Sequence, residues 1–125
     1  MKVVQGDKRD EQIKRIAYIG VVCDLFHYGH LRSIQFAKSI SDYAVCGVFT
    51  DDVVEEYRVR PASNLAERKE VVENLRCVDR VMIQEKRDPT ENLKKIHEEF
   101  PKAEIILIHG DDLNYVHGEE YVKGI

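Results

Sequence analysis

The residues best placed to do chemistry are His27 and His30, three apart in the run His27-Tyr28-Gly29-His30. A β-branched, apolar run over residues 15–22 precedes them, and Asp24 follows that run after Cys23. After them, Leu31, Ile34, Ala37 and Ile40 repeat at helical spacing. A strand, a tight turn with two imidazoles and a helix N-terminus make an anion site. Free backbone N–H groups and the positive end of the helix dipole point at whatever occupies the turn. The imidazoles add donors that can follow charge developing on a phosphate. The favoured reading is therefore a phosphate-handling site. Two histidines at i and i+3, with Asp24 nearby, would also suit a metal ion, and a partner surface is the remaining alternative.

Such a turn works only on a rigid frame, and the rest of the chain has the pattern of one. Buried-type strands are expected over residues 15–22, 43–49, 78–83 and 103–108, and helices over 28–39 and 53–57. A further helix starts at the capping box Asn64-Leu65-Ala66-Glu67. Another opens at Asp88-Pro89-Thr90, and a final short one near Glu119. Near-continuous apolar strands alternating with helices predict an α/β fold, a Rossmann-like, doubly wound parallel sheet with helices on both faces and right-handed crossovers. Ligands in such sheets bind beyond the strand C-termini. Those ends carry Asp24 with the histidines, then Thr50-Asp51-Asp52, then His109-Gly110-Asp111-Asp112. Asp51 and Asp52 also read as helix caps. Arg58 and Arg60 lie in a proline-containing loop. Arg68 and Arg76, taken singly, read as solvated charges, and His97 as an interface or surface residue.

Composition narrows the class. A chain of 125 residues suits one domain and is long enough for a full core. The net charge of −4 with no long basic run argues against a nucleic-acid backbone as partner. Cys23, Cys46 and Cys77 are scattered, with no CxxC, so neither a disulfide framework nor a zinc ribbon is expected. Cys23 and Cys46 read as packing residues, and a reducing cytoplasm fits best. No apolar run approaches the ~18 residues of a membrane span. Residues 1–14 read as a polar leader or a linker to a larger chain, and residues 15–125 as the folded domain.

Asp24-Leu25-Phe26-His27-Tyr28-Gly29-His30 resembles the signature of the HxGH nucleotidyltransferases, and especially of cytidylyltransferases acting on phosphorylated alcohols such as ethanolamine phosphate, glycerol phosphate and choline phosphate. The resemblance continues in register through Thr50-Asp51-Asp52, Arg58-Val59-Arg60-Pro61, Glu67-Arg68, Arg76-Cys77-Val78-Asp79-Arg80-Val81, His109-Gly110-Asp111-Asp112 and Tyr121-Val122-Lys123-Gly124. It implies transfer of CMP from CTP, with Mg²⁺ on the triphosphate, to a phosphorylated small alcohol or phosphonate. On the same ground His27, His30 and Arg58 are the expected catalytic residues. Val22, Cys23, Asp24, Gly29, Arg68, His109, Gly110, Asp111 and Asp112 would hold the nucleotide, with Asp24 orienting a histidine or a Mg²⁺-bound water. Asp51, Arg58 and Arg60 would meet the acceptor. A homodimer is implied around Arg76 to Asp79.

The chain departs from the family pattern in two places. Val21 stands where the family has glycine, with Gly20 one position early, so either a crowded triphosphate or a one-residue bulge is expected. The sequence also ends at Ile125, before the family's closing Arg-Thr-x-Gly-x-Ser-Thr segment, so the domain is expected to lack that segment. Two alternatives stand beside the cytidylyltransferase reading. One is an adenylyltransferase of the same superfamily, and the other a nucleotide-binding module without turnover.

Overall fold

A computed structural model describes residues 12–109 and 119–124. The first strand, β1 (Arg15–Val21), lies at the centre of the molecule. It is followed by α1 (Tyr28–Ser39), β2 (Tyr43–Phe49), α2 (Asp51–Glu55), α3 (Leu65–Glu73), β3 (Arg80–Gln84), α4 (Thr90–Glu99), β4 (Glu104–Ile108) and α5 (Glu119–Gly124). The four strands form one sheet in the order β3-β2-β1-β4, and every pairing is parallel. The chain builds outward from β1 to β3, then crosses back to place β4 on the other side of β1. The strand order therefore reverses beside β1, which opens a crevice beyond its C-terminus.

Alternation along β1 sorts the core into two layers. Ile16 and Tyr18 pack with Val45, Met82, Leu93, Ile96 and Phe100 on the face covered by α4, against which Tyr121 and Val122 of α5 also pack. Ala17 and Ile19 pack with Ile34 and Ala37 of α1, Cys46, Val48 and Val72 of α3 on the opposite face. This is the Rossmann-like, doubly wound architecture that the apolar strand runs predict. The core starts slightly earlier than residue 15: Ile13 is buried in the first layer, and the Lys14 N–H donates to Asp42.

Several boundaries differ from expectation. β1 ends at Val21, one residue early, because the chain turns there. The short helix begins at Asp51 rather than Val53, since the Thr50 hydroxyl accepts the Val53 N–H and takes the N-cap itself. β3 starts at Arg80 rather than 78 and runs on to Gln84. Val78 N–H is bonded back to Leu75 O, closing the end of the helical segment, and Asp79 bridges the Ala44 amide and Lys38 with its carboxylate.

A buried polar group lies between the sheet and α4. The Tyr18 hydroxyl donates to Gln84 Oε1 at 2.6 Å and accepts from Asn92 Nδ2 at 3.0 Å. Gln84 Nε2 in turn donates to the carbonyls of Lys86 and Arg87. Tyr18 thus ties the central strand to the loop after β3, and burial pushes its phenol well above its ordinary pKa, so it remains a neutral donor. The group fits only because β2 carries glycine at position 47. A Cβ there would sit 2.6 Å from both Gln84 Oε1 and Tyr18 Cζ.

Gly47→Ala must either displace the Tyr18 ring or break its bond to Gln84. Overpacking together with a stranded buried polar group should lower the unfolding free energy by about 3 kcal/mol. Urea denaturation checks this, and a variant as stable as the wild type would show that the group relaxes freely.

Candidate active site

The turn between β1 and α1 has a backbone that its sequence does not favour. Cys23 and Leu25 both lie in the left-handed region, at φ 55 and φ 47, although neither is glycine. Each costs about 1–2 kcal/mol and persists only where the surroundings over-determine it. The surroundings here are Arg68 and Asp24. Arg68, with its side chain fully buried, donates through Nη1 to Val22 O at 3.0 Å, through Nε to Ser63 O at 3.0 Å and through Nη2 to Asp51 Oδ1 at 2.6 Å. Asp24 accepts from the Ala62 and Ser63 N–H groups at 2.9 and 2.8 Å. Those backbone bonds, led by the one from Ser63, hold its carboxyl below the usual range. Arg68 is aimed inward because the capping box of Asn64 and Glu67 sets where α3 starts.

On this braced turn the two histidines cap α1 reciprocally. His27 is the N-cap. Its Nδ1 accepts the Gly29 N–H at 3.0 Å, and its own N–H donates to His30 Nδ1 at 3.1 Å. An imidazole that accepts at Nδ1 carries its proton on Nε2 when neutral. The backbone therefore fixes both tautomers and leaves each Nε2–H free to donate. The rings stack at 3.9 Å between centroids. Gly29 leaves room for this arrangement, since a Cβ there would lie 2.8 Å from His27 Cε1. Desolvation, then the neighbouring His27 and Arg58, lower the His30 pKa below 6.5. His30 is thus neutral at pH 7.

The crevice beyond β1 has a volume of about 760 Å³ and reaches from His30, Arg32 and Ser33 on α1 to His109 after β4. Its other wall holds Phe49, Tyr57, Arg58, Gln84 and Arg87. Among the described residues that line it, Arg32, Arg58 and Arg87 carry positive charge, and there is no carboxylate. A chain of net charge −4 thus keeps a locally cationic cleft.

Of the residues expected to form the site, Val22, Cys23, His30, Arg58 and His109 line this crevice, with His27 and Gly29 in the turn beside it. Burial pushes the Cys23 thiol up to about 12, so it is no nucleophile. Arg68 and Asp51 are bonded to each other beneath the turn, and neither borders the crevice. Both oxygens of Asp24 are held by the 62–63 backbone rather than by a histidine. Arg60 pairs with Glu55 at 2.8 Å and approaches Asp51 at 3.9 Å, outside the crevice lining. The common reason is that each of these charges has an opposite charge or a free amide within reach, and charge-assisted hydrogen bonds form there. Gly110, Asp111 and Asp112 lie outside the described residues. No three His, Cys, Asp or Glu side chains group as a metal site among the described residues.

The expected bulge at Gly20 is absent, since β1 pairs with β2 in unbroken register from Ile16 to Val21. Val21 packs against the α1-side core and also borders the crevice. A Cβ on Gly20 would come 3.0 Å from Phe49 Cζ. The sequence reading missed Arg87, Tyr57, Gln84 and Arg32. Arg87 carries a sequence signal: it follows the C-terminal end of β3, and ligands of such sheets bind beyond the strand C-termini.

The profile of the cytidylyltransferase-like family matches residues 18–123. The chain is 32% identical over 96 residues to an ethanolamine-phosphate cytidylyltransferase of Arabidopsis thaliana, covering 76% of this chain and 22% of that protein. It is 29% identical over 90 residues to a glycerol-3-phosphate cytidylyltransferase of Bacillus spizizenii, covering 71% of this chain and 65% of that one. Among solved structures, the lipopolysaccharide core biosynthesis protein of Thermoplasma volcanium superposes with a TM-score of 0.66 at 24% identity, covering 89% of this chain and 85% of its own. That last likeness is one of fold. No helix among the described residues is long and apolar enough to cross a membrane.

Two outcomes follow from the turn. Arg68→Met leaves Asp51 and Val22 O without their partner and should cost about 3–5 kcal/mol in urea unfolding; a loss under 1 kcal/mol would show that the turn holds itself. For His30, asparagine supplies an acceptor in place of Nδ1 but no Nε2–H. His30→Asn should keep wild-type stability to within about 0.5 kcal/mol, whereas His30→Ala loses the cap and about 1 kcal/mol. The folded pKa of His30 is depressed, so its contribution is complete above 6.5 and fades as pH falls below that value. The stability gap between wild type and His30→Asn should shift in the mutant's favour on acidification from pH 7 to pH 5, and a gap independent of pH would refute the assignment.

Proposed function

This chain belongs to the cytidylyltransferase-like family, and we propose that it transfers CMP from CTP to a phosphorylated small alcohol or phosphonate, forming the CDP-alcohol or the corresponding CMP-phosphonate and releasing pyrophosphate. The observation that carries this reading is the reciprocal cap of His27 and His30. It keeps two Nε2–H donors at the N-terminus of α1, beside a crevice lined by arginines. The names of the ethanolamine-phosphate and glycerol-3-phosphate relatives support CTP as donor and an alcohol phosphate as acceptor.

In this reaction an oxygen of the acceptor phosphate attacks the α-phosphorus of CTP in line. The bond from that phosphorus to the β-phosphate oxygen breaks, and pyrophosphate leaves with the electron pair. The nucleophile is already ionised near neutral pH, so no residue has to remove a proton, and catalysis consists of positioning and charge stabilisation. His27 and His30 donate to the α- and β-phosphate oxygens as negative charge moves onto the leaving group, and the cap at Nδ1 keeps a proton on each Nε2. The free N–H groups of the first turn of α1 add fixed dipoles. Donors preorganised in this way are worth about 3 kcal/mol each.

Arg58 holds the acceptor phosphate and offsets its repulsion from the triphosphate. Mg²⁺ enters as part of the substrate, on the triphosphate oxygens. This suits a crevice whose described lining has no carboxylate, since Mg²⁺ is bound readily through substrate phosphates. Arg68, Asp24 and Asp51 act indirectly, by holding the turn that presents the histidines.

Thermal unfolding with Mg²⁺ and either CTP or ATP tests the donor, and pyrophosphate release over a panel of alcohol phosphates tests the reaction. CTP at about 100 times its Kd should stabilise the fold by about 2.7 kcal/mol, and ATP far less. Pyrophosphate release should require an acceptor and should fall by about 10²-fold or more in His30→Asn, which keeps the cap. Release with ATP alone would replace CTP as the donor. Nucleotide binding without release from any acceptor would make the chain a binding module.

A further inference from the structure

We propose that Arg87 sets acceptor specificity, and that the acceptor is a phosphorylated alcohol whose remainder carries no positive charge: a polyol phosphate or a phosphorylated hydroxy acid rather than an amino-alcohol phosphate. The inference rests on the CMP-transfer reading above and deepens it.

Arg58 and Arg87 share one aromatic ring. Their guanidinium carbons lie 5.4 and 4.6 Å from the centre of the Tyr57 ring, on the same wall of the crevice. The neighbouring Arg60 is paired with Glu55, and Arg68 with Asp51. Arg58 and Arg87 have no carboxylate within ion-pair distance among the described residues. Two unpaired guanidiniums on one ring repel each other until an anion sits between or before them. Arg58, whose charge is felt by His30, is the one positioned for the phosphate near the reacting centre. Arg87 is then left facing the rest of the acceptor.

An ammonium head beside Arg87 would meet like charge, and no carboxylate among the described lining residues receives it. Such a head is received by a carboxylate or an open aromatic face; the open ring of the described lining, Phe36, belongs to α1, whereas Arg87 follows β3. Tyr57 already carries two guanidiniums. Phe49 meets Tyr57 edge-on at 6.4 Å. The carboxylate nearest in sequence, Asp88, is turned away to the Thr90 amide and hydroxyl.

Arg87 is not a loose surface side chain. It is half-buried, and its carbonyl is held by Gln84 Nε2, whose Oε1 accepts from the buried Tyr18 hydroxyl. The central strand therefore fixes the backbone that carries this side chain, and its guanidinium lies over the Tyr57 ring. A guanidinium placed before binding favours hydroxyl or carboxylate oxygens and rejects a cation at little reorganisation cost.

Ethanolamine phosphate and phosphoglycolate have the same length and differ at one end, ammonium against carboxylate. With glycerol phosphate they form the test set, on wild type, Arg87→Lys, Arg87→Gln and Arg87→Glu. Calorimetry measures acceptor binding without turnover, and pyrophosphate release with MgCTP measures kcat and KM. Wild type should bind phosphoglycolate or glycerol phosphate at least about tenfold more tightly than ethanolamine phosphate, with the difference in KM rather than kcat. Arg87→Lys should keep this order, Arg87→Gln should flatten it, and Arg87→Glu should reverse it. Ethanolamine phosphate as the best wild-type ligand, an order unchanged in Arg87→Glu, or no binding of any acceptor would each overturn the proposal. Binding in the expected order without pyrophosphate release would instead overturn CMP transfer and leave the acceptor preference standing.

Discussion

The buried guanidinium of Arg68 is the contact on which the site depends. Its three bonds reach Val22 at the end of β1, Ser63 in the loop before α3 and Asp51 at the start of α2. The three segments lie far apart in sequence, and this one side chain ties them together. An arginine cannot shed its charge, so once buried it must keep its partners. That requirement makes the cluster nearly all-or-none. It also explains why two non-glycine residues, Cys23 and Leu25, can rest in the left-handed region. The strain of the turn is carried by a long-range ion pair and by the loop amides bonded to Asp24.

With the turn held, local chemistry completes the site. In a helix of ordinary composition, serine or aspartate would cap the first turn and glutamate would reach back. Here histidine takes both positions. The cap consumes Nδ1 of each ring and so decides where each proton sits. Structural and chemical roles are thus divided between two atoms of one side chain, the Nδ1 serving the helix and the Nε2–H remaining for a ligand. Partial desolvation keeps His30 neutral at neutral pH, which preserves the Nδ1 acceptor that the cap needs.

Electrostatics follow from the same economy of pairing. Among the described residues, Asp24 and Asp51 are bound to amides and to Arg68, and neither is in the crevice lining. The arginines that remain there set a positive field inside a chain that is acidic as a whole. On the opposite layer, the Tyr18–Gln84–Asn92 group turns the sheet into a fixed support for the loop after β3. Two buried polar clusters, one on each side of β1, therefore brace two rims of one cleft.

Much of this was legible in the sequence. Both-face-buried strands are continuous apolar runs, so β1, β2 and β4 are recognisable, and parallel order follows from their alternation with helices. The Asn64–Glu67 cap and the His27–His30 turn are local patterns whose spacing alone implies their geometry. By itself the sequence determined the sheet, its doubly wound class and a phosphate-handling turn at its edge, because periodicity and capping act within a few residues. Only the tertiary structure decided which charges face the ligand. Arg68, Asp24, Asp51 and Arg60 read as ligand-facing, yet they pair with protein groups. Arg87 carried no local motif, yet it stands in the cleft with no ion-pair partner among the described residues. The contacts of Arg68 with Val22 and of Asp24 with Ser63 join residues 46 and 39 positions apart. No local pattern encodes pairs at that distance: they arise when the sheet assembles and burial leaves each charge only the partners within reach.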